Sequence, residues 1–106
     1  MTDTVIRMPA KAAPGEVILV RAMVRHIMES GFRHDNVGKL IPRHIVESFV
    51  CTYAGREVFR AKLSSGVTVN PFFQFHLRAV ETGDVNFRWV DDRGRVYEAV
   101  SRLEVG

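Results

Sequence analysis

The sequence has one cysteine among its 106 residues, Cys51. An internal disulfide needs two cysteines, so none can form, and cysteine usage does not identify the compartment. No stretch approaches the roughly 20 consecutive apolar residues of a membrane-spanning helix. Residues 1–16 contain no apolar core of the kind that defines a secretory signal peptide. We therefore expect no membrane contact and no export signal carried by this chain.

Recognisable catalytic motifs are also missing. The sequence has no glycine-rich phosphate loop, no Ser-His-Asp arrangement and no convincing carboxylate pair. None of the four histidines has a partner at a spacing typical of zinc or iron sites. His26 and His34 share a predicted loop, where polar loop residues are favoured over a shared metal site, and His44 and His76 are expected to face solvent or a partner. We predict no catalytic, cofactor-binding or metal-ligating residue.

Charge of one sign does not dominate any region. The formal net charge is +3 and the pI is about 9.5, but 15 basic residues are interleaved with 12 acidic ones along the chain. A nucleic-acid-binding domain usually concentrates its basic residues in a stripe or patch. We therefore expect solvated strand faces and no nucleic-acid partner.

Alternating apolar residues dominate what is present. The length fits a single domain, residues 1–106, and period-two patterns with turn signals between them predict strands. The predicted strands are residues 4–8, 16–24, 43–52, 56–63, 72–80, 84–91 and 95–105. Residues 9–15 and 25–42 are predicted loops, and the second is long enough to suggest a function. About seven strands without a convincing helix indicate an all-β, immunoglobulin-like sandwich, with Trp89 near the centre of its core.

The predicted turns follow from parity. Phe49 and Phe59 can share one face only if the loop between them has an odd number of residues. A three-residue loop ending at Gly55 meets this condition, places Phe49 opposite Phe59 and gives the glycine a left-handed conformation. Residues 81–83 and 92–94 predict two more such hairpins. In immunoglobulin topology, however, a connection such as 81–83 often crosses between sheets.

Cys51 alternates with Phe49 on the apolar face of its strand. A catalytic thiol needs a neighbouring positive charge or helix N-terminus that lowers its pKa. A buried structural thiol is the favoured interpretation, and a thiol enzyme is the alternative.

Several apolar residues fall on the strand faces opposite the core. Together they would form a patch larger than soluble monomers usually expose, which suggests a protein interface. These residues are Val46, Val50, Val58, Phe72 and Val80.

Five motifs occur in a recognisable order along the chain. They are HIMESGFRHD at 26–35, IPR at 41–43, FVCTYAGREVF at 49–59, NPFFQF at 70–75 and WVDDRGRVY at 89–97. Together they resemble the SoxZ family, a subunit of the SoxYZ complex of bacterial thiosulfate oxidation, over about residues 9–105.

The resemblance implies a binding subunit and not an enzyme. SoxZ-like chains have an immunoglobulin-like fold and pair with SoxY, which carries the sulfur intermediate on a cysteine in a flexible C-terminal arm. It also implies transient contact with other Sox enzymes, a periplasmic location and export together with a signal-bearing SoxY. Cys51 lies in the strand motif and does not correspond to the carrier cysteine. The alternative is a free-standing immunoglobulin-like binding module.

The loop motif of the family usually reads His-Pro-Met-Glu-Thr-Gly, and here Ile27 and Ser30 replace its proline and threonine. The resemblance suggests that this loop borders the resting place of the SoxY arm, where Arg33 and Arg43 would attract the anionic sulfur adduct. The favoured alternative is a loop held for packing and partner docking. The candidate contacts with the partner or its arm are His26, Met28, Glu29, Arg33, Arg43, Val46, Val50 and Val58.

Overall fold

The computed structural model describes residues 3–66 and 69–106, which form eight β-strands in two sheets. The strands are β1 Thr4–Arg7, β2 Lys11–Ala12, β3 Val17–Val24, β4 Val46–Tyr53, β5 Arg56–Lys62, β6 Phe72–Arg78, β7 Gly83–Asp91 and β8 Val96–Val105. One sheet has the order β1-β3-β6 and the other has the order β2-β8-β7-β4-β5. Within this part of the chain, no helix has the length and apolarity to cross a membrane.

Aromatic side chains join the two sheets face to face. Phe49 of β4 stacks on Phe73 of β6 with ring centroids 4.7 Å apart, and Phe59 of β5 stacks on Phe75 of β6 at 4.5 Å. Trp89 is completely buried and its ring lies 4.7 Å from Phe49. Burial of each such ring contributes roughly 1.5–3 kcal/mol to stability. The predicted all-β, immunoglobulin-like sandwich is confirmed, and Trp89 lies in its core as expected.

The β4–β5 hairpin keeps the predicted parity by a different route. Its loop has two residues, Ala54 and Gly55, with φ angles of +50° and +79°. Such a pair of left-handed residues forms the tight turn that matches strand twist. A bulge then follows, because Cys51 pairs with Phe59 whereas the next residue, Thr52, pairs with Glu57. One bulged residue plus a two-residue loop restores an odd count, so the core face continues through both strands.

The predicted direct pairing of Phe49 with Phe59 is therefore wrong, because Phe49 lies opposite Ala61. The two phenyl rings still meet on the core face, with centroids 5.9 Å apart. The loop at 92–94 does have the predicted form, since the amide of Asp91 donates to the carbonyl of Arg95 at 3.0 Å and Gly94 has a φ of +81°.

Residues 81–83 do not close a hairpin. Strand β6 pairs with β3, whereas β7 pairs with β4 and β8, so this connection crosses from one sheet to the other. The hydroxyl of Tyr53 holds the crossing, because it accepts hydrogen bonds from the amides of Val80 and Glu81 and donates to the Glu81 carbonyl. The hairpin prediction is wrong here, and the crossover alternative is confirmed.

The predicted loop at 9–15 contains a short strand that was not predicted, β2. Residues 11 and 12 run parallel to the end of β8, where Lys11 pairs with Glu104 and Ala12 with Val105. Two residues are too few for a periodic pattern, so the sequence carries no strand signal there. The strand covers one edge of the larger sheet.

The outer faces agree with the predictions except at one position. Val58, Phe72 and Val80 are exposed, and Val50 is half-buried, but Val46 is completely buried. A register shift between residues 46 and 48 in the pairing of β4 with β7 turns the Val46 side chain toward the core. The prediction that Val46 lies on an outer face is wrong.

Candidate functional site

The long segment between β3 and β4 has a structure of its own. Two backbone hydrogen bonds of 2.8 and 2.9 Å join Glu29 with His44, and the amide of Ile41 donates to the Arg33 carbonyl at 2.9 Å. At the far end, a carboxylate oxygen of Asp35 accepts hydrogen bonds from the amides of residues 37 and 39. The predicted structureless loop is therefore an irregular hairpin closed by an Asp-centred turn.

The outer part of this hairpin, residues 32–40, is exposed at every position, and we call it the arm. Phe32, Val37 and Leu40 are 79%, 86% and 54% exposed. The described chain measures 59 × 23 × 19 Å, and its radius of gyration of 16.2 Å exceeds the roughly 13 Å of a compact domain of this length. The arm thus presents three bare apolar side chains on an elongated molecule.

Asp91 anchors the base of the hairpin. It is 2% exposed, and one carboxylate oxygen accepts hydrogen bonds of 2.9 Å from the amides of both Arg93 and Arg95. The other oxygen accepts from the Tyr97 hydroxyl at 3.2 Å and from His44 Nε2 at 3.1 Å. Burial alone would raise the pKa of Asp91, but these hydrogen bonds outweigh it and lower the pKa to about 2.

His26 approaches the same oxygen from the other side. Its Nε2 lies 3.6 Å from Asp91 Oδ2 and 3.3 Å from Nε2 of His44. Its Nδ1 accepts a 3.0 Å hydrogen bond from the amide of Met28, so the neutral ring carries its proton on Nε2. Burial and the nearby His44 lower the pKa of His26. A neutral His26 therefore points its N–H at the carboxylate.

Two further residues fix the hairpin base. Met28 is buried with a φ of +51°, and its sulfur lies 3.2 Å from the amide nitrogen of Val46, which donates to it. Gly31 has a φ of +88°, and a β-carbon there would lie 3.0 Å from Cβ of Arg43. Both the backbone conformation and this close approach require glycine.

The two candidate arginines already have carboxylate partners. Arg33 forms a two-pronged contact with Glu29, with distances between 2.5 and 3.2 Å. Their hydrogen bond lowers the pKa of the Glu29 carboxyl and raises that of the arginine. Arg43 donates to Asp92 at 3.2 Å and to Glu47 at 3.3 Å. An anionic ligand would have to compete with these carboxylates.

Cys51 is completely inaccessible, and burial raises the pKa of its thiol to about 12. A thiol with this pKa is protonated at neutral pH, and only the thiolate is a good nucleophile. The structure thus confirms the prediction of a buried thiol, and it gives Cys51 neither the exposure nor the low pKa that the thiol-enzyme alternative requires.

The structure groups the histidines differently from the sequence. His34 is exposed on the arm and is not among the groups that converge with His26. His44, expected to face solvent or a partner, instead turns toward the buried Asp91, and this prediction is wrong. His76 is exposed as expected. Sequence reasoning missed Asp91 because the two histidines that it meets, His44 and His26, lie 47 and 65 positions away along the chain.

The remaining candidates divide into buried and exposed groups. His26, Met28 and Glu29 are buried at the hairpin base, so any effect on a partner would act through the arm that they hold. Val58 and Val80 border a separate cleft of about 640 Å³ that lies between the end of β6 and the β4–β5 turn. Strands β5 and β6 are the open edges of the two sheets on this side. Two of the exposed apolar surfaces are the arm and this cleft, which we call the edge cleft, whereas Phe72 borders a different cleft with Val5 and Met23.

Comparison with solved structures shows the fold alone, because all identities are low. The sulfur carrier protein SoxY from Chlorobium limicola f thiosulfatophilum matches with a TM-score of 0.70 and 15% identity, covering 100% of this chain and 81% of that one. A superoxide reductase (neelaredoxin) from Ignicoccus hospitalis matches with a TM-score of 0.71 and 16% identity, covering 100% and 81%. A putative superoxide reductase from Thermotoga maritima matches with a TM-score of 0.70 and 14% identity, covering 97% and 85%.

A search of curated protein sequences finds no significant match. The family model of the sulphur oxidation protein SoxZ, in contrast, matches residues 6–102. This match spans the hairpin, both apolar surfaces and the Asp91 anchor. The chain therefore belongs to the SoxZ family of sulphur oxidation proteins.

Proposed function

We propose that the chain is a non-catalytic subunit that pairs with SoxY and so forms a carrier of covalently bound sulfur intermediates in thiosulfate oxidation. Family membership supports the role in sulfur oxidation. The complex works in the periplasm, where SoxY brings this chain by export of the assembled pair. Other Sox enzymes contact the carrier transiently.

The arm is the observation that carries this proposal. Phe32, Val37 and Leu40 expose apolar side chains on a segment whose base is fixed by the Asp91 network. Aromatic and aliphatic anchors on a prearranged scaffold are typical of protein interfaces, because little conformational entropy is lost on binding. On a free monomer, exposed apolar side chains do not stabilise the fold, and large patches of them usually mark an interaction site. We therefore place the main contact with SoxY on the arm.

The edge cleft is the competing location. Val58 and Val80 border it, and the unpaired edges of β5 and β6 offer backbone groups that an extended partner segment can pair with. It suits an extended peptide better than a folded surface. If the flexible C-terminal segment of SoxY rests in the edge cleft, residues 32–40 of this chain stay free to contact the folded body of SoxY.

The arginine hypothesis takes a modified form. Arg33 and Arg43 are bound to carboxylates, but both side chains are at least half exposed, with exposed fractions of 68% and 50%. An anionic sulfur adduct would exchange with Glu29 or Asp92 and would not meet a free cation. The carboxylates of Glu29 and Asp92 are only 10% and 9% exposed, so the exchange would leave a largely buried charge without its arginine and carries a cost.

Binding to SoxY tests the proposal directly. The chain is co-expressed with the SoxY encoded in the same genome, and affinity is measured by calorimetry on the separated subunits. The triple variant Phe32→Ser, Val37→Ser, Leu40→Ser should bind at least about tenfold more weakly, since interface anchors typically contribute more than 1 kcal/mol each. Val100→Ser is the matched control, because Val100 is 61% exposed on β8, away from both surfaces.

Each result has a clear meaning. Full binding by the triple variant together with loss of binding by Val58→Glu would move the interface to the edge cleft. A wild-type chain that does not bind SoxY at all would overturn the proposed function. Fractionation of cells whose SoxY lacks its signal peptide tests the location, because this chain should then stay in the cytoplasm.

A further inference from the structure

Three potential metal ligands converge at the base of the hairpin. Nε2 of His26 lies 3.3 Å from Nε2 of His44 and 3.6 Å from Oδ2 of Asp91. Nε2 of His44 lies 3.1 Å from the same carboxylate oxygen. The three side chains come from the segment just after β3, from the segment just before β4 and from the end of β7, so tertiary structure alone brings them together. Among the described residues they form the only group of three such side chains that could hold an ion.

The spacing of the three atoms fits a tetrahedral ion. Bonds of about 2.0–2.1 Å from a zinc ion to nitrogen and oxygen ligands imply ligand-to-ligand distances of about 3.3 Å at the tetrahedral angle. The three observed distances bracket this value. Two imidazoles and a carboxylate are also a donor set that suits zinc and its first-row neighbours.

One hydrogen bond within this group is poorly made. Both imidazoles direct an N–H toward Asp91 Oδ2, and the two nitrogens lie only 3.3 Å apart. His44 takes the better position at 3.1 Å, whereas the N–H of the buried His26 is left at 3.6 Å. That distance is too long for a normal hydrogen bond. An ion would replace this crowded contact with three bonds.

Binding has a structural consequence at Met28. A metal on Nε2 of His26 requires the ring proton on Nδ1, but Nδ1 now accepts the amide hydrogen of Met28. That hydrogen bond must break when the ion binds. Met28 sits in the left-handed region with a φ of +51°, a conformation that costs energy for a residue other than glycine. Metal binding is therefore coupled to the base of the hairpin.

An open cleft of about 360 Å³ gives access to the three ligands. It is lined by His26 and His44 themselves, and by Ile27, Asn70 and Tyr97 among its other walls. The His44 side chain is 20% exposed, so an ion can reach it from solvent. A water molecule from the cleft would fill the fourth position, as in zinc sites with three protein ligands.

We propose that His26, His44 and Asp91 bind one divalent first-row transition-metal ion. Binding breaks the hydrogen bond of the Met28 amide and so changes the conformation at the base of the hairpin. This departs from the sequence-based expectation of no metal-ligating residue. It does not depend on the proposed function, because the ligands belong to this chain alone.

The test uses the full chain, stripped with a chelator and titrated with Zn²⁺ by calorimetry and with Co²⁺ by visible absorption. We expect one ion per chain and the intense absorption of tetrahedral Co²⁺. His44→Asn should weaken binding more than about tenfold, since the loss even of outer-shell partners typically costs 10–100-fold. His34→Asn and His76→Asn, which change exposed histidines, should bind normally.

Nuclear magnetic resonance of the wild-type chain provides a readout that does not depend on the variants folding. On addition of Zn²⁺, the ring nitrogens of His26 should report a change of tautomer, and the Met28 amide should lose its protection from hydrogen exchange. Absence of stoichiometric Zn²⁺ binding, or binding that His34→Asn reduces as much as His44→Asn, would overturn the proposal.

Discussion

Replacement of Asp91 by asparagine should destabilise the fold and remove part of its acid sensitivity. The carboxylate is 2% exposed and accepts hydrogen bonds from two backbone amides, Tyr97 and His44. In the folded chain its pKa is lowered from 3.8 to about 2. Because the folded state holds the proton less tightly than the unfolded state, ionisation of Asp91 stabilises the fold at every pH above both values.

The size of the effect follows from the same pKa values. The lowering of the pKa of Asp91 from 3.8 to about 2, at about 1.4 kcal/mol for each tenfold change in proton affinity, corresponds to about 2.5 kcal/mol of stability at neutral pH. This contribution is complete above about pH 5 and is lost as the pH falls through 3.8 toward 2. For a chain of this size, a loss of about 2.5 kcal/mol lowers the melting temperature by roughly 10 °C.

Urea unfolding followed by tryptophan fluorescence provides the assay, because Trp89 is completely buried and is the only tryptophan. Stability is measured from pH 7 to pH 2 for the wild type, Asp91→Asn and the control Asp84→Asn. Asp84 forms an exposed ion pair with Arg102 at 3.4 Å, and its loss should change stability by less than about 0.5 kcal/mol. Two results would refute this role of Asp91. One is equal stability of Asp91→Asn and wild type at pH 7, and the other is a loss of stability on acidification that is as steep in Asp91→Asn as in wild type.

Three further predictions concern the backbone, the core and the thiol. Gly31→Ala should destabilise the fold more than Gly38→Ala in urea unfolding, because both have a left-handed φ but only at Gly31 would the new β-carbon meet a neighbour within 4 Å; equal losses would contradict this. Val46→Ala should cost roughly 2 kcal/mol of unfolding free energy, and Val58→Ala less than about 0.5 kcal/mol, because only the first is buried; the reverse order would restore the sequence-based assignment. Cys51 should react with iodoacetamide only on unfolding, and rapid labelling of the native chain would show that the thiol is accessible.

Local pattern predicted the core but not the register. The spacing of Phe49, Cys51 and Phe59 places all three on one face, and the structure agrees. The bulge between Cys51 and Thr52 and the register shift beside Val46 have no local signal, because a bulge depends on how the neighbouring strand pairs. The bulge left the predicted core face intact, because a loop one residue shorter than predicted compensated for it. Nothing compensated for the register shift, and so Val46 was assigned to the wrong face.

The site shows the same division between local and long-range information. Residues 25–42 lack periodicity, which predicts a loop and its importance but not the hairpin within it. His44 and Asp91 each read as ordinary polar residues at the end of a strand. They meet only because β4 and β7 are neighbours in the sheet, and no sequence spacing encodes that neighbourhood. Phe32, Val37 and Leu40 were not among the predicted contacts, because their exposure depends on the hairpin and not on a local pattern.

The Asp91 network and the arm are parts of one structure. Strand β7 ends at Asp91 in the core, and the carboxylate there holds His44 at one side of the hairpin base and approaches His26 at the other. The exposed arm begins only a few residues beyond each of them. We therefore expect a change at this anchor, by protonation, substitution or a bound ion, to act on the orientation of Phe32 and Leu40. Because rigid anchors bind with a smaller entropy loss than mobile ones, such a change should alter the affinity for the proposed partner without touching the contact surface.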